Sequence, residues 1–320
     1  MIKSWRARVS RLVEGVLAVS TFSLRTASAN GPSVIFKSRS GELKLFDFDR
    51  GEVITLISGA TSDNLNYAKT LPIFDFFTLN PFVIDQSLRS QRNLCIRREA
   101  LVDVPCMAMT SLPKQIQTMK KICSTYIRYA KNYSMDPVQN IFEDCFDEVA
   151  GCLTEDARAQ CLIMKDMYLE FVCVTRTVSA HLDFNITNFI DNGNLFLFDI
   201  EDSGLRLPVT YDMNNLLLNE VYQDRPSSLL MVVLKDEYGT GYSELLQIAT
   251  GMKANDQLGI SLFVNYILRE SRYVSERLLK HYDSDLAQRN WDKLARYVPG
   301  WPFKGPSALL NNQQLESHQR

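Results

Sequence analysis

The chain changes its hydrophobic rhythm about a third of the way along. Ser33-Val-Ile-Phe-Lys37, Leu43-Lys-Leu-Phe-Asp-Phe48 and Glu52-Val-Ile-Thr-Leu-Ile57 are short β-branched and aromatic runs, which predict strands. Asp49-Arg50-Gly51 fits a hairpin turn between the last two, and Ser38-Arg39-Ser40-Gly41 a tight turn before them. Asp63 to Phe77 reads as a helix capped by Ser62. A further strand pair follows, Phe82–Asp85 and Asn93–Arg97, the second reaching Glu99-Ala-Leu-Val102. From Leu112 the period lengthens. Ile116, Met119, Ile122, Cys123, Tyr126, Ile127 and Ala130 form one helical face. Val138–Leu153 and Ala157–Val174 predict two more helices after the Asp136-Pro137 break, with a cap near Thr154. Residues 181–202 read as an irregular loop and a short strand, after which the helical pattern runs to about Tyr297. The boundaries this implies are a segment 1–30, a small β-rich lobe 31–104, a helical lobe 105–305 and a polar tail 306–320.

Composition narrows the class without naming it. Of 320 residues 46% are hydrophobic and 22% charged, enough apolar material for a substantial core in a soluble protein. A formal net charge of -2 offers no basic stripe for nucleic acid. The 7 cysteines are odd in number and lack C-x-x-C spacing, which favours buried free thiols in a reducing, cytoplasmic compartment over disulfides. No uncharged apolar run reaches about 18 residues, so no membrane-spanning helix is expected.

The first residues form a basic amphipathic pattern. Trp5, Val9, Leu12, Val13, Val16 and Leu17 fall at helical spacing among Lys3, Arg6, Arg8 and Arg11. Residues 1–24 could lie peripherally on a membrane surface or pack on the protein itself. A cleavable signal fits less well, because Glu14 interrupts the apolar stretch and Arg25 stands just before Ala27-Ser28-Ala29.

The chemistry-bearing stretch is His181-Leu-Asp183-Phe-Asn-Ile-Thr-Asn188, then Leu195-Phe-Leu-Phe198, then Asp199-Ile-Glu201-Asp202. It gathers a histidine, a carboxylate, an amide and a second carboxylate within about twenty residues, the order used in phosphoryl transfer. The bland alternative is loop capping by ordinary Asp and Asn residues. Asn132-Tyr-Ser134 and Asn185-Ile-Thr187 match the glycosylation pattern by chance in a cytoplasmic chain, and His281 and His318 lack metal-ligand spacing. Glu143, Asp144, Asp147 and Glu148 would suit a cationic acceptor or, more simply, a solvated helix face.

This stretch resembles the aminoglycoside phosphotransferase and choline kinase superfamily, which carries H-x-D-x-x-x-x-N, an apolar strand and D-x-[DE]. The matching positions are His181, Asp183, Asn188, Asp199 and Glu201. Pro208-Val-Thr-Tyr-Asp212 looks like the family's P-x-x-x-D, and Glu99 like the linker between lobes. The resemblance implies an α+β, two-lobed protein-kinase-like fold and transfer of the ATP γ-phosphate, with magnesium, to a hydroxyl of a small molecule or saccharide. Asp183 would be the base and His181 an organiser of the loop. Asn188 and Asp199 would hold magnesium, Glu201 or Asp202 would assist metal or substrate, and Asp212 would brace the loop.

The nucleotide end departs from the pattern. Glu52–Ile57, the match to the third strand, has no Lys to touch the phosphates. Lys44 on the preceding strand or Lys37 could reach inward, although an edge-strand lysine is more often solvated. A catalytically silent, kinase-shaped binding or scaffold protein is therefore the competing reading. A protein kinase fits less well, because no Arg stands between His181 and Asp183.

Overall fold

Alternating apolar positions build a small antiparallel sheet from β1 (Ser33–Lys37), β2 (Leu43–Asp47), β3 (Glu52–Ser58), β5 (Phe82–Asp85) and β6 (Leu94–Ala100), in the order β1-β2-β3-β6-β5. In the computed structural model the residues described are 33–37, 43–47, 50–88, 93–102, 104–137, 142–200, 204–235, 241–251, 257–275 and 285–302. The N-terminal segment, Gly41, Glu201, Asp202, His281, His318 and the tail lie outside them. The β2–β3 turn is closed by Gly51 at φ 61° and by the Arg50 N–H, which donates to Asp47 Oδ1 at 3.1 Å. On one sheet face Leu45 and Ile54 are buried with Leu43, Leu56 and Ile96 packed on them.

The sheet corrects one expectation. Lys44 does not stand on an edge strand, since β2 lies between β1 and β3. The helix after β3 is also displaced: α1 runs Gly59–Ala68, so Ser62 is a buried position inside it and not its cap. The buried stripe Gly59, Ser62, Leu65 and Ala68 recurs every third residue. The expected continuation to Phe77 stops because Pro72 forces Leu71 into an extended conformation, φ -72° and ψ 136°, before a single 3₁₀ turn Pro72–Asp75.

The described residues fall into two compact units: those up to 66 together with 80–102, and 67–79 together with those from 104 onward. The larger one is helical. Its long helix α2 (Leu112–Tyr133) buries Met119, Ile122, Cys123, Tyr126, Ile127 and Ala130, the face its periodicity predicts. Helix α3 runs Glu143–Gly151 and ends before the expected Leu153, while 138–141 of the expected helix lie outside the described residues. The expected Ala157–Val174 helix is two, α4 (Glu155–Ile163) and α5 (Lys165–Val174). They part at Met164, whose N–H bonds the Cys161 carbonyl three residues back instead of continuing the α pattern. Glu143, Asp144, Asp147 and Glu148 face solvent, and Asp147 pairs with Lys165 at 2.7 Å. Helices α6 (Tyr211–Tyr222), α7 (Ser228–Leu234), α8 (Gly241–Thr250), α9 (Leu258–Ser275) and α10 (Leu286–Tyr297) complete the unit, ending where the sequence pattern ends. None of the 7 cysteines forms a disulfide. No helix among the described residues is long and apolar enough to cross a membrane.

Candidate active site

Three short strand pairings inside the larger unit fix the loop that begins at His181. Strand β7 (Thr177–Ser179) pairs with β10 (Arg206–Pro208), closing the two ends of residues 180–205. The Ala180 N–H donates to the Leu205 carbonyl at 2.7 Å and the Gly204 N–H to the Ala180 carbonyl at 2.8 Å. Between them, β8 (Phe189–Asp191) pairs with β9 (Leu195–Leu197), and β4 (Thr78–Leu79) lies parallel against β9. Lys121 of α2 reaches the buried Asp191 carboxylate at 2.7 Å and anchors β8.

The predicted residues then fall into order. The Asn188 amide donates from Nδ2 to the Asp183 carbonyl at 2.9 Å and to Asp183 Oδ2 at 2.8 Å. Asn185 donates to the other carboxylate oxygen, Oδ1, at 2.8 Å, while its own Oδ1 accepts the Thr187 N–H at 2.8 Å. The Asp183 carboxylate is thus oriented from both sides yet remains partly open to solvent. The Phe198 N–H donates to the Asn188 carbonyl at 2.9 Å, extending the β8–β9 pairing by one step. Asn188 is thereby drawn beside the residue preceding Asp199. Asp199 is exposed and sits at φ 60°, a left-handed conformation uncommon outside glycine.

His181 is fully buried against Phe74 and Phe184, with ring centroids at 6.5 and 5.9 Å. Burial pushes its pKa down to about 4, against opposing pulls from Asp183 and from the Phe198 backbone. At neutral pH this enclosed imidazole is uncharged. Asp212, at the start of α6, is equally buried. Its Oδ2 accepts the His181 N–H at 2.9 Å and the Tyr126 hydroxyl at 3.0 Å, and its Oδ1 accepts the Leu182 N–H at 3.1 Å. Burial raises its pKa to about 6, with those three donors pulling the other way. Leu182 takes φ 71° between these bonds and the Asn215 amide, which donates to its carbonyl at 3.3 Å. Such a conformation in a leucine stores about 1 kcal/mol and persists because the surroundings over-determine it.

Beneath the loop lies an aromatic cluster that the motif did not signal. Phe77 meets Phe184 at 5.7 Å and Phe189 at 5.9 Å, and Phe184 meets Phe189 at 4.7 Å. Phe74 and Phe77 belong to the stretch Asp63–Phe77, which the sequence pattern predicts as one helix of the small lobe. The F-x-x-F spacing beside Pro72 was the signal available. Lys44 and Glu99 lie on the sheet of the other unit, Lys44 half-buried on β2 and Glu99 on β6 in an ion pair with Arg97 at 3.2 Å.

Magnesium, implied by the motif, can be tested against the donors present. Among the described residues no group of three His, Cys, Asp or Glu could hold a metal ion. The Asn188 Nδ2 is committed to Asp183, its Oδ1 accepts only a long hydrogen bond from the Thr187 hydroxyl at 3.4 Å, and Asp199 is exposed. Two hard oxygens, completed by phosphates and water, suit magnesium and no softer metal.

No family model and no curated protein sequence matches the chain. Its solved structural neighbours nevertheless define a fold class, that of the aminoglycoside phosphotransferases and choline/ethanolamine kinases, a small antiparallel-sheet lobe followed by a helical one. Aminoglycoside phosphotransferase APH(4)-Ia superposes with a TM-score of 0.55 at 12% identity, covering 88% of this chain and 99% of that one. A choline/ethanolamine kinase family protein from Mesorhizobium loti gives 0.52 at 12% identity, with 95% and 97% covered. A thermostable APH(4)-Ia mutant in ternary complex with ADP and hygromycin B gives 0.54 at 10% identity, with 88% and 98% covered. The expected fold is borne out.

Proposed function

We propose that the protein is an ATP- and magnesium-dependent phosphotransferase acting on a hydroxyl of a small molecule or saccharide. The observation that carries this reading is the Asp183 carboxylate, held through both oxygens by the amides of Asn185 and Asn188 within one loop. Asp183 orients the acceptor hydroxyl and takes its proton as the phosphoryl group transfers, a role worth roughly 10²- to 10⁴-fold in rate. Asn188 and Asp199 would hold magnesium, which neutralises charge on the phosphates when bound. Asp212 and His181 keep the loop in register and touch no substrate. The fold likeness to a phosphotransferase solved with ADP and an aminoglycoside supports the same direction.

A silent, kinase-shaped scaffold is the second reading, favoured by the absence of lysine from β3. Release of ADP across a library of hydroxylated acceptors separates the two. Magnesium-dependent turnover that Asp183→Ala abolishes supports the enzyme. A purified protein that shows no thermal shift with ATP and magnesium removes it.

A further inference from the structure

The carbonyl of Leu182 is held from a helix far along the chain. Leu182 keeps its φ of 71° between two bonds: its N–H donates to Asp212, and its carbonyl accepts from Asn215 Nδ2 at 3.3 Å. The Asn215 amide is itself held. Its Oδ1 accepts from Asn265 Nδ2 of α9 at 3.1 Å, and the same Nδ2 donates to the Tyr211 carbonyl, also at 3.1 Å. Asn265 Oδ1 in turn accepts the Tyr222 hydroxyl at 3.1 Å, and the Arg269 guanidinium lies 3.7 Å from the centroid of the Tyr222 ring.

These bonds have a direction. The Tyr211 carbonyl can only accept, so it fixes which end of the Asn265 amide is the donor. Asn265 then fixes Asn215. Turning the Asn215 amide over would set two NH₂ groups against each other and its oxygen against the Leu182 carbonyl. Asn265 is 1% exposed and Asn215 8%, so water is no ready substitute, and a buried group left unbonded costs about 1–3 kcal/mol. The Leu182 carbonyl belongs to the planar peptide that joins Leu182 to Asp183. Holding its oxygen sets the direction in which the chain enters Asp183.

We propose that Asn265 is a positioning residue for Asp183, acting through the Asn215 amide on the Leu182–Asp183 peptide. The proposal rests on the phosphotransferase reading and adds to it a residue of α9, far beyond the loop in sequence. Asn265 keeps the Asp183 carboxylate where the acceptor hydroxyl must meet it, and a misplacement of about 1 Å at such a group costs about 10²-fold in rate. The two helices do not depend on this contact alone, because Asn214 Nδ2 of α6 also donates to the Ser261 carbonyl of α9 at 2.8 Å. Loss of the Asn265 amide should therefore disturb the loop while α6 stays docked on α9.

The dipeptide Leu-Asp occurs once in the sequence, at 182–183. The full chain labelled with ¹³C at leucine carbonyls and ¹⁵N at aspartate therefore gives a single carbonyl–amide NMR cross-peak, which reports that peptide. Asn265→Leu should shift the cross-peak as Asn215→Leu does, and combining the two should add no further shift. At saturating ATP and magnesium, with water or the fastest acceptor of the hydroxylated library, Asn265→Leu should lower kcat for ADP release by about 10- to 100-fold and leave KM for ATP unchanged. A cross-peak that stays in place in Asn265→Leu, or one that shifts without loss of kcat, overturns the proposal and leaves the phosphotransferase reading intact. Wild type that turns over no acceptor overturns both. Should Asn265→Leu not fold, Asn265→Ser, whose shorter side chain carries no amide to meet Asn215, is judged by the same outcomes.

Discussion

Exchanging Asp212 for Asn should make the stability of this protein fall more steeply on acidification than it does in the wild type. Two buried groups titrate against each other at the base of the loop. Asp212 is pushed up to about 6 from an ordinary 3.8, chiefly by burial. An acid whose folded pKa is raised holds its proton more tightly when folded, so its contribution improves as pH falls through 6 towards 3.8. From pH 7 to pH 5 the gain is about 1 kcal/mol. His181 runs in the opposite sense, at about 4 when folded against 6.5, again chiefly by burial. The unfolded chain takes up that proton first, so the folded state loses about 2 kcal/mol over the same range. Together the pair leaves only a small net decline. Asp212→Asn removes the favourable half, and stability should then fall by about 2 kcal/mol between pH 7 and pH 5. At pH 7 the variant should already be less stable by about 1–3 kcal/mol, because one of three buried donors loses its acceptor. His181→Gln should do the reverse and gain about 1 kcal/mol on acidification. Urea unfolding followed by the fluorescence of buried Trp291 measures all three profiles. Every other titrating group is common to them and cancels in the differences. Profiles of wild type and Asp212→Asn that run parallel to within about 0.5 kcal/mol would refute the assignment of opposed protons to these two residues.

Other outcomes follow from the same geometry. Asp183→Asn should keep binding of ATP with magnesium and lower turnover by about 10²- to 10⁴-fold, as read by ADP release; undiminished turnover removes Asp183 as base. Asp199→Asn should raise the magnesium concentration needed for half-maximal ATP binding, and an unchanged requirement places the metal elsewhere. Phe77→Ala should destabilise the protein by about 3–5 kcal/mol in chemical unfolding, since its ring is 1% exposed among Phe184 and Phe189.

What the sequence disclosed divides along physical lines. Amphipathic α2 is legible because burial of one face imposes a 3.6-residue period that nothing else in 112–133 contradicts. The His181–Asp199 loop is legible because its spacing is chemical, and the Asp183–Asn188 contact joins residues only five apart. The break at Met164 is invisible, since a one-residue switch in hydrogen bonding leaves the apolar pattern unbroken. Ser62 misleads because a serine at a helix-like start is ordinarily a cap, and here it is overridden by burial.

Residues 67–79 give the larger unit a dependence on chain that precedes it. This segment supplies Phe74 against His181, Phe77 against Phe184, and β4 as the strand beside β9. A fragment expressed from residue 104 onward would carry every motif residue from His181 to Asp212 and still lack the floor of its own loop. Deletion mapping that trims from the N-terminus should therefore lose cooperative folding on passing Pro72, well before the helical lobe begins. The boundary that matters for handling this protein in pieces lies inside what looks, along the sequence, like the smaller lobe.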